Sequence, residues 1–341
     1  MPRLPNELII HVIRCLIPPS PPVAFPSGHI VTRTLVSLIL ASRLTRAVAI
    51  RLLFRHCLYL DSGKRLHELI QTDKNWVRDD NTGGHGALRQ SQSLFLRPFP
   101  ADTLEEPQIV KEVDQVSLAL ANTLRRLVID MPLRLLYPEE DHSGLRRILR
   151  HAFGRLTALE EFCSVRDELF CDTLETWSEP DAASEPEVWS GWPRLRCLAL
   201  YNPCINDAFV RALQRCPSLT HLALTRSDGL TEPLSLSSSR GLALPSLQRV
   251  IVINTCQGHR VEWERREPGW ETSIWARLLP SHTSPSAPSS QNPPQLVYAF
   301  VSVPRNRGDE DIELCQEWVC EHAVNGTLWD IPGTPWQVED P

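Results

Sequence analysis

Cys315, Cys320 and His322 are the one clustered set of potential metal ligands in this 341-residue sequence. They fall in a helical pattern, and at 3.6 residues per turn Cys315 and Cys320 point roughly 140° apart, so buried thiols are expected there rather than a metal site. The other cysteines (15, 57, 163, 171, 197, 204, 216 and 256) are scattered, often inside apolar runs, and form no CxxC pair. Reduced core thiols are the expectation, not a disulfide or zinc framework. Cys256, in a loop after VIVIN, is the thiol expected to be most exposed, yet nothing near it in sequence would activate it. No Walker loop, GxGxxG, HExxH or GxSxG occurs, so the common phosphate, dinucleotide, zinc-protease and hydrolase chemistries lose their usual signatures. The chain is expected to have no catalytic residue, no cofactor and no metal.

What remains is chemistry of recognition. Nine of the ten tryptophans lie beyond residue 176, and Trp177, Trp189, Trp263 and Trp270 sit in segments without apolar periodicity. Tryptophan is enriched at binding hot spots, which makes these four candidate anchors for a partner; packing back over neighbouring elements is the competing expectation. The run WERREPGW (263–270) is too short to argue base stacking, and no nucleic-acid partner is expected. The net charge is −6, but residues 1–60 hold seven arginines against Glu7 alone, so that segment carries +6 and the rest −12. That asymmetry suggests a basic module meeting an acidic partner, nucleic acid or an acidic protein, between which charge alone does not choose.

These side chains need elements to hold them. In LPNELIIHVIRCL (4–16), Leu8, Ile9, Val12, Ile13 and Leu16 recur one helical turn apart, with Pro5 setting the first turn. The proline-rich stretch 18–28 cannot continue that helix and reads as an exposed loop. Helices are predicted again over 32–42 and 43–55, with Leu35, Leu38, Ile39, Ala47, Ile50, Leu53 and Phe54 inward, and over 64–76, with a strand at 56–60 and a loop at 79–90.

A spaced Leu-x-x-Leu-x-Leu pattern then marks strands at Leu124/Leu127/Ile129, Leu195/Leu198/Leu200 and Leu219/Leu222/Leu224. Weaker copies are Ser91/Leu94/Leu96, Leu159/Phe162/Ser164, Leu247/Val250/Val252 and Leu296/Ala299/Val301. Helical segments at 108–121, 145–153 and 206–215 supply return paths, the last capped by Asn206 or Asp207. Strand, helix, strand repeated in one direction requires parallel strands, so an α/β fold with return helices is predicted. A final helix, 311–322, with Ile312, Cys315, Trp318 and Val319 on one face, is expected to cap the array. The segments 178–191, 227–241 and 280–294 lack periodicity and are expected to be disordered inserts.

The N-terminal segment resembles an F-box of the fungal type: the LPNEL opening (Leu4, Pro5, Glu7, Leu8), then Ile13 and Leu16, then a second apolar helix ending in Ala41-Ser42-Arg43, with LFRHCLYL (53–60) leading out. The resemblance covers residues 3–60. Two features depart from it: the long proline-rich stretch (17–31) and the lack of a tryptophan after Ser42-Arg43. It implies a small helical F-box-like module (3–60), a helical linker region (61–90), an irregular leucine-rich-repeat solenoid (91–322) and a tail (323–341). By the same resemblance the chain would be a non-catalytic substrate receptor of a Skp-cullin-F-box ubiquitin ligase. Leu4, Pro5, Leu8, Ile13, Leu16, Leu35 and Leu38 would meet the acidic Skp-type adaptor, and the repeats or their inserts an unknown client protein. Apolar side chains at helical spacing fit a partner's groove, and surrounding arginines would speed encounter with an acidic surface. Such a receptor needs no nucleophile, since it only raises the effective concentration of a client lysine.

Lysine is nearly missing: Lys64, Lys74 and Lys111 stand against 32 arginines. That would spare a receptor from modifying itself, although a compositional bias toward arginine explains it as simply. The alternative class is a leucine-rich scaffold or inhibitor without ligase recruitment, its first helices acting as a cap. With no apolar run of spanning length and no signal peptide, an intracellular protein of cytoplasm or nucleus is expected.

Overall fold

The computed structural model describes residues 5–79, 87–100, 103–174, 185–230, 232–233, 244, 246–255, 273, 295–301 and 310–335. Three helices open the chain: α1 (Asn6–Arg14), α2 (Ile30–Ala41) and α3 (Arg43–His56). Pro5 precedes the first turn of α1 with an extended backbone. The break between α2 and α3 is made by Ser42, whose hydroxyl accepts the Thr45 amide at 3.1 Å and caps α3. Ile13, Phe25, Val31, Leu35 and Ala49 form a core belonging to this module.

The rest is an α/β assembly around one open sheet in which every strand lies beside its sequence neighbour. In chain order it comprises β1 (Tyr59–Leu60), α4 (Gly63–Asp79), β2 (Ser93–Leu96), α5 (Pro107–Leu120), β3 (Arg126–Ile129), α6 (Leu145–Gly154) and β4 (Glu161–Ser164). Then follow β5 (Cys197–Tyr201), α7 (Asp207–Gln214), β6 (His221–Thr225), β7 (Arg249–Thr255), β8 (Gln295–Val301), α8 (Asp311–Asn325) and β9 (Thr334–Pro335). Strands β1 to β8 are parallel, and β9 adds antiparallel.

The leucine pattern sets the register. Leu94, Leu127, Phe162, Leu198, Leu222 and Val250 align across β2 to β7, and all are buried toward α4–α7. The preceding positions, Ser91, Leu124, Leu159, Leu195, Leu219 and Leu247, are buried as well. Each fully buried leucine contributes roughly 1.5–3 kcal/mol, so the repeated row is a main source of cohesion. One position differs from the sequence expectation: Leu296 pairs with Val250, which makes it the second residue of the pattern rather than the first. Residues 63–79, expected as a linker helix, run as a return helix whose Leu66 and Ile70 enter the same core. The predicted strand at 56–60 shortens to Tyr59–Leu60 because α3 runs on to His56.

A second apolar row lies on the opposite face of the sheet: Phe95, Val128, Cys163, Ala199, Ala223 and Ile251. α8 covers it with Cys315, Val319, Ala323 and Val324. This corrects the expectation of an end cap, and Ile312, expected on the buried side, is exposed. The proline-rich stretch is corrected too. Val23 and Ala24 pack under the second face, Phe25 enters the helical module, and the Val23 amide donates to the Val324 carbonyl at 2.7 Å. Arg126 takes the carbonyls of Pro21 and Pro22 at 2.9 and 3.0 Å.

Candidate protein-binding surfaces

α1 and α2 pack on α3, and this arrangement divides the predicted contact residues into two groups. Ile13 and Leu35 are buried in the module's own core, so they support its shape and are corrected as contact residues. Leu16 and Leu38 are half-buried against that core. Pro5 and Leu8 are exposed, Leu8 by 50%, and Val12, one turn further on α1, is exposed by 60%. On α2, Ile30, Val36 and Leu40 also face solvent, Leu40 by 87%. Leu4 lies outside the described residues. The sequence reading missed Ile30, Val36 and Leu40 because α2 is apolar nearly all round, and periodicity cannot tell which side the third helix covers.

Charge surrounds these apolar residues. Arg14, Arg33, Arg43, Arg46, Arg51 and Arg55 are all exposed, and none makes an ion pair among the described residues. The module therefore presents exposed aliphatic side chains within a basic field.

The tryptophan expectation is corrected at Trp189. It is fully buried on a 3-10 turn at 188–191, edge-on to Phe209 with ring centroids 5.6 Å apart, and cannot anchor a partner. Trp192 beside it is equally buried, with its indole N–H donating to the Phe153 carbonyl at 3.1 Å. The end of the 178–191 insert is thus a plug between α6 and α7, and two tryptophans three residues apart were the available signal. Trp177, Trp263 and Trp270 lie outside the described residues, as do most of the other two inserts.

The sheet's second face is not free either. Beyond α8, Arg249 holds the Trp329 and Ile331 carbonyls, and the Trp329 ring stands edge-on to His221 at 6.4 Å. The sequence signal was in the strands themselves: CLAL and VIVIN are apolar on both faces, whereas a sheet with one wet face alternates.

At the carboxyl edge of β3 and β4, charged side chains serve the backbone. Arg146, almost fully buried, donates to the carbonyls of Leu133, Leu136, Phe170 and Asp172 and lies 4.2 Å from the Phe170 ring centroid. Asp141 caps α6 by accepting the Leu145 and Arg146 amides at 2.8 Å each. Asp167 is buried and accepts from the Leu133, Leu169 and Phe170 amides and the Ser164 hydroxyl. Burial and the neighbouring Glu168 charge push its carboxyl up to about 7 despite those donors. These groups close loops whose carbonyls and amides would otherwise be orphaned.

Cys315 and Cys320 behave as core thiols: burial pushes them up to about 11 and about 12. His322 bonds to the Thr327 hydroxyl at 2.7 Å and closes the end of α8. Among the described residues no group of three His, Cys, Asp or Glu is placed to hold a metal, and no helix is long and apolar enough to cross a membrane. Cys256 lies outside the described residues. Comparison with protein-family models and with curated proteins yields no match for this chain.

Proposed function

We propose that the chain is a non-catalytic substrate receptor of a Skp-cullin-F-box ubiquitin ligase: α1–α3 dock on the Skp-type adaptor and the strand–helix body carries a client protein. The observation that carries this reading is the helical module with its own core, exposing Leu8, Val12, Ile30, Val36 and Leu40 among six arginines that make no ion pair among the described residues. Exposed aliphatic residues on two helices cost solubility unless a partner covers them, and the arginines specify an acidic one. The finer fold assignment belongs to the same proposal. An F-box-like module leads an irregular leucine-rich-repeat solenoid, supported by sequential parallel strands and by pattern residues in register.

A second reading has its own observation. α3 packs on the edge of the body: the Ser93 hydroxyl donates to the Arg55 carbonyl at 3.1 Å. A scaffold or inhibitor whose first helices merely close the array would show the same contacts. The two readings part in a binding assay between the intact chain and a Skp-type adaptor, repeated with Leu8→Asp and Val12→Asp together. Both positions are exposed, so the variant folds. The receptor reading expects binding by the native chain and at least a tenfold loss in the variant, and a folded native chain without affinity for the adaptor leaves the scaffold.

A further inference from the structure

The carboxyl ends of β5, β6 and β7 hold polar side chains that the fold leaves without partners. Tyr201 ends β5, Thr225 ends β6 and Thr255 ends β7. The register sets Tyr201 beside Thr225 and Thr225 beside Ile253, two residues before Thr255. Alternation along each strand turns these three side chains the same way as Ala199, Ala223 and Ile251, onto the second face under α8. They are 4%, 1% and 1% exposed, and none of the three hydroxyls has a hydrogen-bond partner among the described residues.

Arg226 joins them from the next position. Strand alternation would send it to the opposite face, but its backbone is left-handed at φ 50°, and its side chain reaches the Cys315 thiol of α8. Its amide donates to the Ile253 carbonyl at 3.0 Å, which fixes the turn. Arg226 Nη1 and Ser227 Oγ are buried and unpartnered as well, and Arg226 makes no ion pair among the described residues. Burial pushes the Tyr201 phenol up, and the Arg226 charge pulls it part of the way back, so the cation lies close to that ring as well. Asp311, whose charge also acts on Cys315, is itself exposed and makes no ion pair among the described residues. Five of the eleven buried side-chain atoms without a partner among the described residues thus gather at three adjacent strand ends. All five can donate, one carries positive charge, and no carboxylate is among them. Buried donors are normally matched, so such a group marks a missing acceptor.

We propose that the carboxyl ends of β5, β6 and β7 bind a tetrahedral oxyanion of the phosphate class, free or as a monoester, beneath the first turns of α8. Its oxygens answer the hydroxyls of Tyr201, Thr225, Ser227 and Thr255 and the Arg226 Nη1 together. A carboxylate, with roughly four lone-pair sites, falls short of five donors, and water leaves the guanidinium charge unanswered. The carboxyl edge of parallel strands is also where open α/β sheets commonly receive ligands. Arg226 touches α8 through Cys315, so a bound anion ties three strands to that helix, and occupancy and the docking of α8 stabilise each other. These strands lie at the far side of the sheet from β1 and the helical module, and the site is independent of the receptor reading.

The test titrates the full chain calorimetrically with inorganic phosphate, against chloride at matched ionic strength. The native chain binds phosphate with a Kd of about 1 mM or tighter, and its Tm rises with phosphate but not with chloride. Arg226→Gln, which removes the charge, lowers affinity at least about tenfold, and Thr255→Val, which exchanges one hydroxyl for a methyl, lowers it about threefold or more. Each variant takes away an unmatched polar group, so both stay folded in chloride, as circular dichroism checks. Arg97→Gln removes a half-exposed cation elsewhere on the same face and leaves phosphate affinity unchanged, which separates a built site from general attraction to a basic surface. Glycerol 3-phosphate forms the second arm: weaker binding than phosphate identifies the free ion as the ligand, and equal or tighter binding identifies a monoester. No binding by the folded chain up to about 10 mM of either anion, an affinity unchanged in Arg226→Gln, or an equal loss in Arg97→Gln overturns the assignment.

Discussion

Replacing Val319 by Asp tests whether α8 is a structural cover of the sheet. Val319 is 1% exposed and lies on the second face among Val128, Cys163, Ala199 and Ala323. Losing its burial costs roughly 1.5–3 kcal/mol, and an unpaired carboxylate in the same place costs several kcal/mol more. The helix is held there chiefly by Cys315, Val319, Ala323 and Val324, with Trp318 and Cys320 partly buried beside them and no large aliphatic side chain among the six. Lifting α8 is therefore the cheaper response than burying the charge. Amide hydrogen exchange should show protection of α8 falling by about a thousandfold, the equivalent of ~4 kcal/mol, while α5 and α7 keep theirs because their core faces the other side. Ile312→Asp, on the same helix at a position 43% exposed, should change stability by less than about 0.5 kcal/mol. Native-like protection of α8 in Val319→Asp would refute the packing argument, and equal loss across all helices would refute the separation into two cores.

Trp189→Ala should lower stability by about 3–5 kcal/mol in thermal or urea unfolding, as for a fully buried aromatic, whereas a surface anchor would leave it unchanged. Arg146→Met should cost about 3–5 kcal/mol, read in the same assay, because carbonyls of Leu133, Leu136, Phe170 and Asp172 lose their shared donor. Asp167 gives a pH signature. Its folded carboxyl is raised from 3.8 to about 7, so its contribution is fully present below about pH 4 and is lost as pH rises to about 7. Three pKa units at ~1.4 kcal/mol each set an upper bound of roughly 4 kcal/mol on the change in the stability difference between native and Asp167→Asn chains, with the native chain losing ground toward pH 7. A difference flat across pH 4–8 would contradict the buried-carboxyl assignment.

The strand–helix alternation was legible because each unit needs a leucine at two or three fixed places, and those places recur whatever lies between them. Boundaries of α5, α6 and α7 fell within a residue or two for that reason. The second face was not legible by the same means. Its cover is α8, more than 50 residues after β7, and nothing local in VIVIN names the helix that will meet Ile251. The proline-rich stretch misled in a related way: Val23, Ala24 and Phe25 are three apolar residues among prolines, too few for periodicity, yet two separate cores receive them. At the candidate adaptor surface the sequence identified the helices but not their outward sides. Leu35 was expected inward from its helical face and is; Ile13 also went inward because α3 packs against α1, a tertiary fact that one helix's pattern does not contain. Trp189 was open between anchor and packing, and packing holds: the ring fills a gap between α6 and α7. A cavity lined by residues from 61–68, 98–100 and 106–112 had no signature in the sequence, because the parallel pairing of β1 and β2 is what brings these separate segments together.

The most direct test of the receptor reading is the hydrogen-exchange footprint of a Skp-type adaptor on the intact, folded chain at micromolar concentration. The account predicts protection confined to α1 and α2 around Leu8, Val12, Val36 and Leu40, with association slowed by salt as the exposed arginines are screened. No complex, or a complex that protects the body and leaves α1 and α2 unchanged, would contradict it.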